Sequence, residues 1–158
     1  MSIEIRPMIR DDLGEIVDLS LRAWIPVFDS MLEMLGEPIF QQLFGADWQE
    51  HQAQDVRRAC RDFETFVAVD DDQVVGFTAL DVSDDETGEI YMVAVDPLHQ
   101  GRGIGLQLTN FGVERLRQAG KRMAIVGTGG DPGHAAARAT YTKAGFTKFS
   151  AEQYYLML

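Results

Sequence analysis

The sequence is short of cysteine, histidine and basic side chains, and it has no long apolar run. Cys60 is the only cysteine, so an internal disulfide is excluded and a reducing cytoplasm is the expected location. The histidines, His51, His99 and His134, are scattered, and no His/Cys cluster has metal spacing, so no metal centre is expected. The lack of a run of about 18 apolar residues excludes a helical membrane span. The opening MSIEIRPMIRDD lacks a secretory signal's apolar core and cleavage site. Fourteen Lys and Arg stand against 25 Asp and Glu, a net charge of −11, whereas a general nucleic-acid binder carries the opposite sign. A Gly-x-Ser-x-Gly elbow is missing too, which argues against serine-hydrolase chemistry.

What is present fits one domain over residues 1–158, since 158 residues bury a sizeable core but do not make two ordinary domains. The acidity is concentrated at Asp70-Asp71-Asp72 and Asp84-Asp85-Glu86. Such runs read either as solvated turns or as a field that attracts a cationic acceptor.

Along the chain, residues 3–9 read as a first strand, and Asp11-Asp12 open a helix through Leu13, Ile16, Val17 and Leu21. Residues 24–48 are aromatic-rich and interrupted by Pro26, Gly36, Pro38 and Gly45, so short helices are expected. Trp24, Phe28, Phe40, Phe44 and Trp48 read as a helical cover on the sheet or as walls of an acceptor pocket. Residues 49–62 are polar and compatible with a helix. Residues 65–69 and 74–82 are β-rich runs around an acidic turn, a hairpin signal. Residues 89–95 form another strand, ended by Pro97; residues 103–118 form a helix, 123–127 a short strand, and 134–144 a last helix. Residues 146–158 are expected to close as a hairpin whose second strand is 154–158. The helix between strands 89–95 and 123–127 makes those strands parallel neighbours. The class is therefore α/β with a mixed sheet.

Between strand and helix lies Gln100-Gly101-Arg102-Gly103-Ile104-Gly105. Its glycines permit positive φ and close approach of a ligand. Free N–H groups and the helix dipole at that point favour an anion, and Arg102 adds positive charge at the rim. The loop lacks the lysine of a Walker motif, and Leu106 stands where a dinucleotide fingerprint has its third glycine. A plain glycine-rich turn that lets helix and strand pack closely remains the alternative.

The Gln-x-x-Gly-x-Gly pattern, preceded by the strand beginning at Glu89, resembles the acetyl-CoA-binding core of the GNAT N-acetyltransferase superfamily. The segment His134-x-x-Ala137-x-x-x-Tyr141-x-x-x-Gly145-Phe146 resembles that family's second signature. The resemblance implies an acyl-CoA N-acyltransferase fold: a mixed, mostly antiparallel sheet, a central parallel pair splayed in a V, and helices on both faces. It further implies that Val93, Ala94 and Val95 line pantetheine, that Gln100, Gly101, Arg102, Gly103, Ile104 and Gly105 hold pyrophosphate, and that His134, Ala137 and Tyr141 complete the acetyl-CoA site. His134 departs from the family, which often has asparagine there; it can bind pantetheine, act on substrate or cap the helix.

Acyl transfer to an amine needs a proton acceptor for the ammonium and a donor for the leaving thiolate. Glu89, eleven residues before Gln100, matches the spacing of the catalytic glutamate in histone-acetylating members and is the candidate base, acting directly or through water. Tyr141 is the candidate acid, because the resembled family places this tyrosine near the sulfur; an ordinary core tyrosine is the alternative. A small cationic amine is the expected acceptor, with a protein N-terminus or peptide as rival and a non-catalytic acyl-CoA sensor as the reading from another class. No nucleic-acid or membrane partner is expected. Dimers are common in the resembled family, so a homodimer pairing through 154–158 is a further expectation.

Overall fold

The computed structural model describes residues 2–158. Strand β1 (Glu4–Pro7) leads through a 3-10 turn into helix α1 (Leu13–Leu35), followed by α2 (Glu37–Phe44) and α3 (Trp48–Asp62). Then come β2 (Glu64–Asp70), β3 (Gln73–Asp81), β4 (Thr87–Val95), α4 (Ile104–Gln118), β5 (Met123–Val126) and α5 (Ala135–Lys143). The sheet runs β1-β2-β3-β4-β5. Pairing is antiparallel up to β4, and β4 with β5 is parallel.

Each face of the sheet is covered. On one side Ile16 and Leu19 of α1 and Val56 and Ala59 of α3 pack on Val67, Phe77, Ala79 and Met92. On the other side Ile104 and Leu108 of α4 pack on Ala68 and Val75, and Leu116 packs on Leu80 and Ile90. The α/β class and the helices on both faces are as expected. The β2–β3 turn closes through Asp71 and Asp72 at φ 46 and 64, the left-handed pair that a two-residue hairpin turn requires.

Three expectations need correction. First, α1 is one helix of 23 residues that runs through Pro26. Proline removes one backbone N–H, at a cost of about 3 kcal/mol. The segment stays helical because Val27 and Phe28 just beyond it are buried. Second, the hairpin over 146–158 does not form, and residues 144–158 carry no strand. The stretch Thr147-Lys148-Phe149-Ser150-Ala151-Glu152-Gln153 contains no Gly, Pro, Asn or Asp to reverse the chain. Third, and as a result, the parallel pair lies at the end of the sheet, with β5 as its edge.

The aromatic residues of α1 to α3 form a cover. Phe28 stacks on Trp48 at 4.3 Å and meets Phe40 and Phe44 edge-on, so these rings spend their faces on one another. Among the described residues, no helix is long and apolar enough to cross a membrane.

Gly76 of β3 shows how tightly β3, β4 and α4 are joined. A Cβ there would meet the Ala94 carbonyl oxygen at 2.9 Å and a Leu108 methyl at 3.0 Å. The carbonyl belongs to the neighbouring strand and cannot rotate away. Gly76→Ala is therefore expected to destabilise the protein by about 1–3 kcal/mol despite alanine's smaller unfolded-state entropy, read as a lower urea midpoint at unchanged slope. An unchanged midpoint would show that β3 and β4 are not held at this spacing.

Candidate functional site

The parallel pairing is short. Thr87, Gly88, Glu89 and Ile90 of β4 match Met123, Ala124, Ile125 and Val126 of β5, and there the ladder stops. Beyond Ile90, β4 continues to Val95 without a β5 neighbour. The strands therefore part, and the β5-facing edge of β4, Val93 to Val95 included, is left open.

A β-bulge marks the point of parting. The β3–β4 register shifts between Ala79 and Leu80, so Ile90 opposes Leu80, Met92 opposes Ala79, and Tyr91 has no partner residue. Ile90 packs on the α4 side, whereas Tyr91 and Met92 both pack on the α1–α3 side. The Tyr91 hydroxyl donates to Asp55 at 3.0 Å and accepts from Arg58 at 2.5 Å, both on α3. Burial, and then the adjacent Asp55 carboxylate, push the Tyr91 phenol up.

At the open end, each parallel strand runs into an Asp-Pro pair. After β4, Asp96 caps a 3-10 turn at Pro97–His99 and accepts from the Leu98 N–H at 3.0 Å. Arg22 of α1 donates to the same carboxylate at 2.6 Å. Burial alone would push the Asp96 carboxyl up, but the Leu98 N–H and the Arg22 guanidinium outweigh it and hold it below the usual carboxylate range. After β5, Asp131 precedes the 3-10 turn Pro132–His134 and bonds the His134 imidazole at Nδ1. Burial would push the Asp131 carboxyl up, but the His134 and Ser30 side chains hold it down. Asp131 Oδ2 faces the Ser30 hydroxyl without forming a well-shaped hydrogen bond.

Both loops are thus moored to α1. Arg22 holds the first, and the Ser30 oxygen accepts from the Gly133 N–H at 3.3 Å in the second. Positions eight apart on a helix share a face, so one stripe of α1 meets both loops. Gly133 is glycine for a steric reason: a Cβ would meet the Pro26 carbonyl oxygen and the Val27 Cα at 2.7 Å.

Gln100–Gly105 sits where the sequence placed it. Gly101 and Gly103 adopt φ of 77 and 79, and α4 starts at Ile104. The first N–H groups of that helix have no intrahelical acceptor and face the open end. Gln100 Nε2 donates to the Val95 carbonyl at 3.1 Å, tying the loop back to β4. Arg102 stands in this loop, and its guanidinium donates to Asp70 at 2.9 Å.

The other candidates fall on two levels. Tyr141 and half-buried Ala137 lie on α5, which packs beside α4, and Tyr141 meets Phe146 edge-on at 6.1 Å. Burial pushes the Tyr141 phenol up, so it is a protonated donor throughout the neutral range. Glu89 lies on the closed part of the parallel pair, opposite Ile125, not at its mouth. It lines a shallow pocket of about 210 Å³ together with Asp81, Ser83, Asp84, Thr87 and Ile125. Sequence reasoning passed over Asp96, Asp131 and Tyr91. The repeated signal was there, an Asp-Pro directly after or shortly after each parallel strand, which is a cap signature.

A family model described as the acetyltransferase (GNAT) family matches residues 30–146. Among curated proteins, the chain is 38% identical over 166 residues to the mycothiol acetyltransferase of Amycolatopsis mediterranei (strain U-32), covering 94% of this chain and 51% of that protein. It is 31% identical over 166 residues to the mycothiol acetyltransferase of Rhodococcus jostii (strain RHA1), covering 95% and 53%. The chain spans about half the length of these curated relatives. Among solved structures it resembles the PaiA N-acetyltransferase of Thermoplasma acidophilum in complex with coenzyme A, with a TM-score of 0.70, 18% identity, and 96% and 94% of the two chains covered. It also resembles an aminoglycoside N-acetyltransferase AAC(6')-Iy in complex with CoA, with a TM-score of 0.64, 16% identity, and 99% and 95% covered. At these identities the structural likeness speaks for the fold.

The Asp96 mooring yields a test. Asp96→Ala removes the acceptor of the Leu98 N–H and of Arg22, and is expected to cost about 1–3 kcal/mol at neutral pH. A carboxyl held low when folded stabilises above its unfolded pKa and loses that contribution as pH falls through the folded value. The gap in urea midpoint between wild type and variant should therefore narrow in acid; a constant gap would show that the charge of Asp96 is not what holds the loop.

Proposed function

The chain belongs to the acetyltransferase (GNAT) family, and from that premise we propose that it is an acetyl-CoA-dependent N-acetyltransferase comprising a single domain over residues 1–158. The observation that carries this reading is the β5-facing edge of β4, left unpaired beyond Ile90 and running directly into the positive-φ loop Gln100–Gly105. An open strand edge offers N–H and C=O groups to an extended amide-containing chain, as pantetheine is. The loop and helix start offer N–H groups to a pyrophosphate. In this reading Val93, Ala94 and Val95 hold pantetheine. Gln100, Gly101, Arg102, Gly103, Ile104 and Gly105 form the phosphate loop, and His134, Ala137 and Tyr141 flank the donor from the second loop and α5.

The reaction follows as direct transfer. Glu89, directly or through a water, takes the proton of the acceptor ammonium. The freed nitrogen lone pair attacks the thioester carbonyl, a C–N bond forms, the nitrogen releases its second proton to solvent, and the C–S bond breaks. Tyr141 gives its proton to the leaving sulfur, and solvent restores it. A phenol pushed up by burial is a weak acid, so its main contribution is a hydrogen bond that strengthens as charge develops on sulfur.

We take a small cationic amine as acceptor in preference to a peptide. Asp81, Asp84 and Glu89 put three carboxylates around one shallow pocket, which favours a positive charge. The curated relatives named above, mycothiol acetyltransferases, are consistent with a small-molecule acceptor. The rival within the enzyme class is a peptide or protein N-terminus, and the rival outside it is an acyl-CoA-binding module without turnover.

Two measurements test this. Tyr141→Phe should lower kcat roughly 100-fold, and Glu89→Gln should lower it as well, while calorimetric affinity for acetyl-CoA stays within about threefold. Loss of affinity without loss of kcat would remove both residues from the chemistry. A thiol-release screen over amines and peptides should find turnover on small cationic amines. Turnover on peptides alone would overturn the acceptor assignment, and cofactor binding without turnover on any acceptor would favour the sensor.

A further inference from the structure

The loop between β5 and α5 holds a pair of side chains, Asp131 and His134, that the proposed reaction leaves idle. After β5 the chain turns at Pro132–His134 against α1 and then enters α5, which packs beside α4. Since α1 and α4 cover opposite faces of the sheet, His134 stands where the chain crosses the open end. The loop is wrapped around the pair. Arg138 of α5 donates to the carbonyls of Gly129 and Asp131 at 2.8 and 2.7 Å. Ser30 of α1 accepts from the Gly133 N–H. A Cβ at Gly129 would stand 2.7 Å from His134 Nδ1, so the backbone closes on the ring there. A carboxylate beside one ring nitrogen decides which nitrogen carries the proton. Asp131 is 7% exposed; burial pushes its carboxyl up, but the His134 and Ser30 side chains outweigh this and keep it ionised. An ionised carboxylate only accepts, so Nδ1 carries the hydrogen and Nε2 keeps its lone pair. Nε2 has no hydrogen-bond partner among the described residues and is open to solvent, on a side chain 20% exposed.

We propose that Asp131 positions His134, and that His134 Nε2 takes the second proton of the acceptor nitrogen and passes it to solvent. The proposal rests on the acetyltransferase reading and deepens it at the one proton that reading gives to solvent directly. Once the C–N bond has formed, the nitrogen is positively charged. In that state the amine can leave again as a neutral molecule, and the intermediate reverts. Moving the proton to Nε2 closes that route. The electron pair of the N–H bond stays on nitrogen, and an imidazolium forms against the Asp131 carboxylate. The C–S bond then breaks with its electron pair going to sulfur, which takes the Tyr141 proton. Nε2 finally gives its proton to water, to which it is already open. Glu89 is occupied at that moment, because it holds the first proton.

Placement and chemistry agree. Imidazole takes up and gives off protons near neutral pH, as a group that moves a proton in every turnover must. His134 caps α5, and Tyr141 follows about two turns later on the same side of the helix. Every Cα–Cβ bond of a helix tilts towards its N-terminus, which inclines Tyr141 towards His134. The proton donor for sulfur and the proton acceptor for nitrogen thus border the mouth from one element.

The decisive variant is His134→Asn, which keeps hydrogen-bonding capacity but takes up no proton. It should lower kcat roughly 100-fold with unchanged circular dichroism and an acetyl-CoA affinity within about threefold of wild type. His134→Ala should be slowed as much and should regain rate in proportion to added imidazole, which carries the proton in its place. Asp131→Asn should lower kcat at least about tenfold, and nitrogen-15 correlation spectra of the wild type at pH 8 should place the His134 proton on Nδ1. Full kcat in His134→Asn or Asp131→Asn, a loss of acetyl-CoA affinity in place of kcat, no response to imidazole, or a proton on Nε2 would each overturn the proposal. A wild type that turns over no amine at all overturns the acetyltransferase reading as well, whereas an active wild type matched by His134→Asn overturns the proton route alone.

Discussion

The ladder between β4 and β5 ends after Ile90 and Val126, and much of the molecule is arranged around that early ending. A parallel pair normally continues for as long as both strands do, because each further residue adds a hydrogen bond. Here β5 itself ends at Val126, and the bulge at Tyr91 lies directly beyond the last pair. The extra residue bends the strand and turns Tyr91 and Met92 towards the same face. The Tyr91 hydroxyl, held by Asp55 and Arg58, fixes that choice of face from α3. The network is only partly buried, so its worth lies less in stability than in selecting one register.

A gap between two strands would collapse if nothing held its loops. The holding element is α1, whose Arg22 reaches Asp96 and whose Ser30 reaches the turn of Asp131 and Gly133. Both carboxylates are nearly fully buried, which explains why each is held by hydrogen bonds that outweigh its desolvation. The continuity of α1 through Pro26 matters for the same reason. Pro26 and Val27 are the backbone against which Gly133 lies, so a break there would free the second loop from the first.

How far this was legible from sequence depends on whether a feature is local. The Gln100–Gly105 loop, the acidic hairpin turn and the strand-helix-strand order rest on residues adjacent in sequence, and they fold as read. The splaying of the parallel pair came only with the family resemblance, and no residue near Tyr91 announces the bulge. The pairing of Arg102 with Asp70 joins residues 32 positions apart, which no local pattern shows. Pro26 looked like a break because burial of Val27 and Phe28 is a tertiary fact that overrides local propensity. The hairpin expected at 146–158 has no Gly, Pro, Asn or Asp between its arms, and Ser150 is the one weaker turn former there.

The two halves of the proposed reaction are held in different ways, and this decides where specificity can reside. A donor with a constant pyrophosphate and pantetheine can be held by backbone N–H and C=O groups, which any sequence supplies once the loop and the strand edge are shaped. An acceptor needs side chains. The obvious candidates, Phe28, Phe40, Phe44 and Trp48, are engaged with one another in stacked, tilted and edge-on pairs, and Phe28 and Phe40 are buried. What remains beside the closed part of the parallel pair is charge: Asp81 and Asp84 around Glu89. Discrimination by charge in a shallow, open pocket is coarse, since solvent screens it and Ile125 is the one large apolar side chain in its lining. In the proposed reading, an acceptor chosen by such a pocket is selected first by its positive charge.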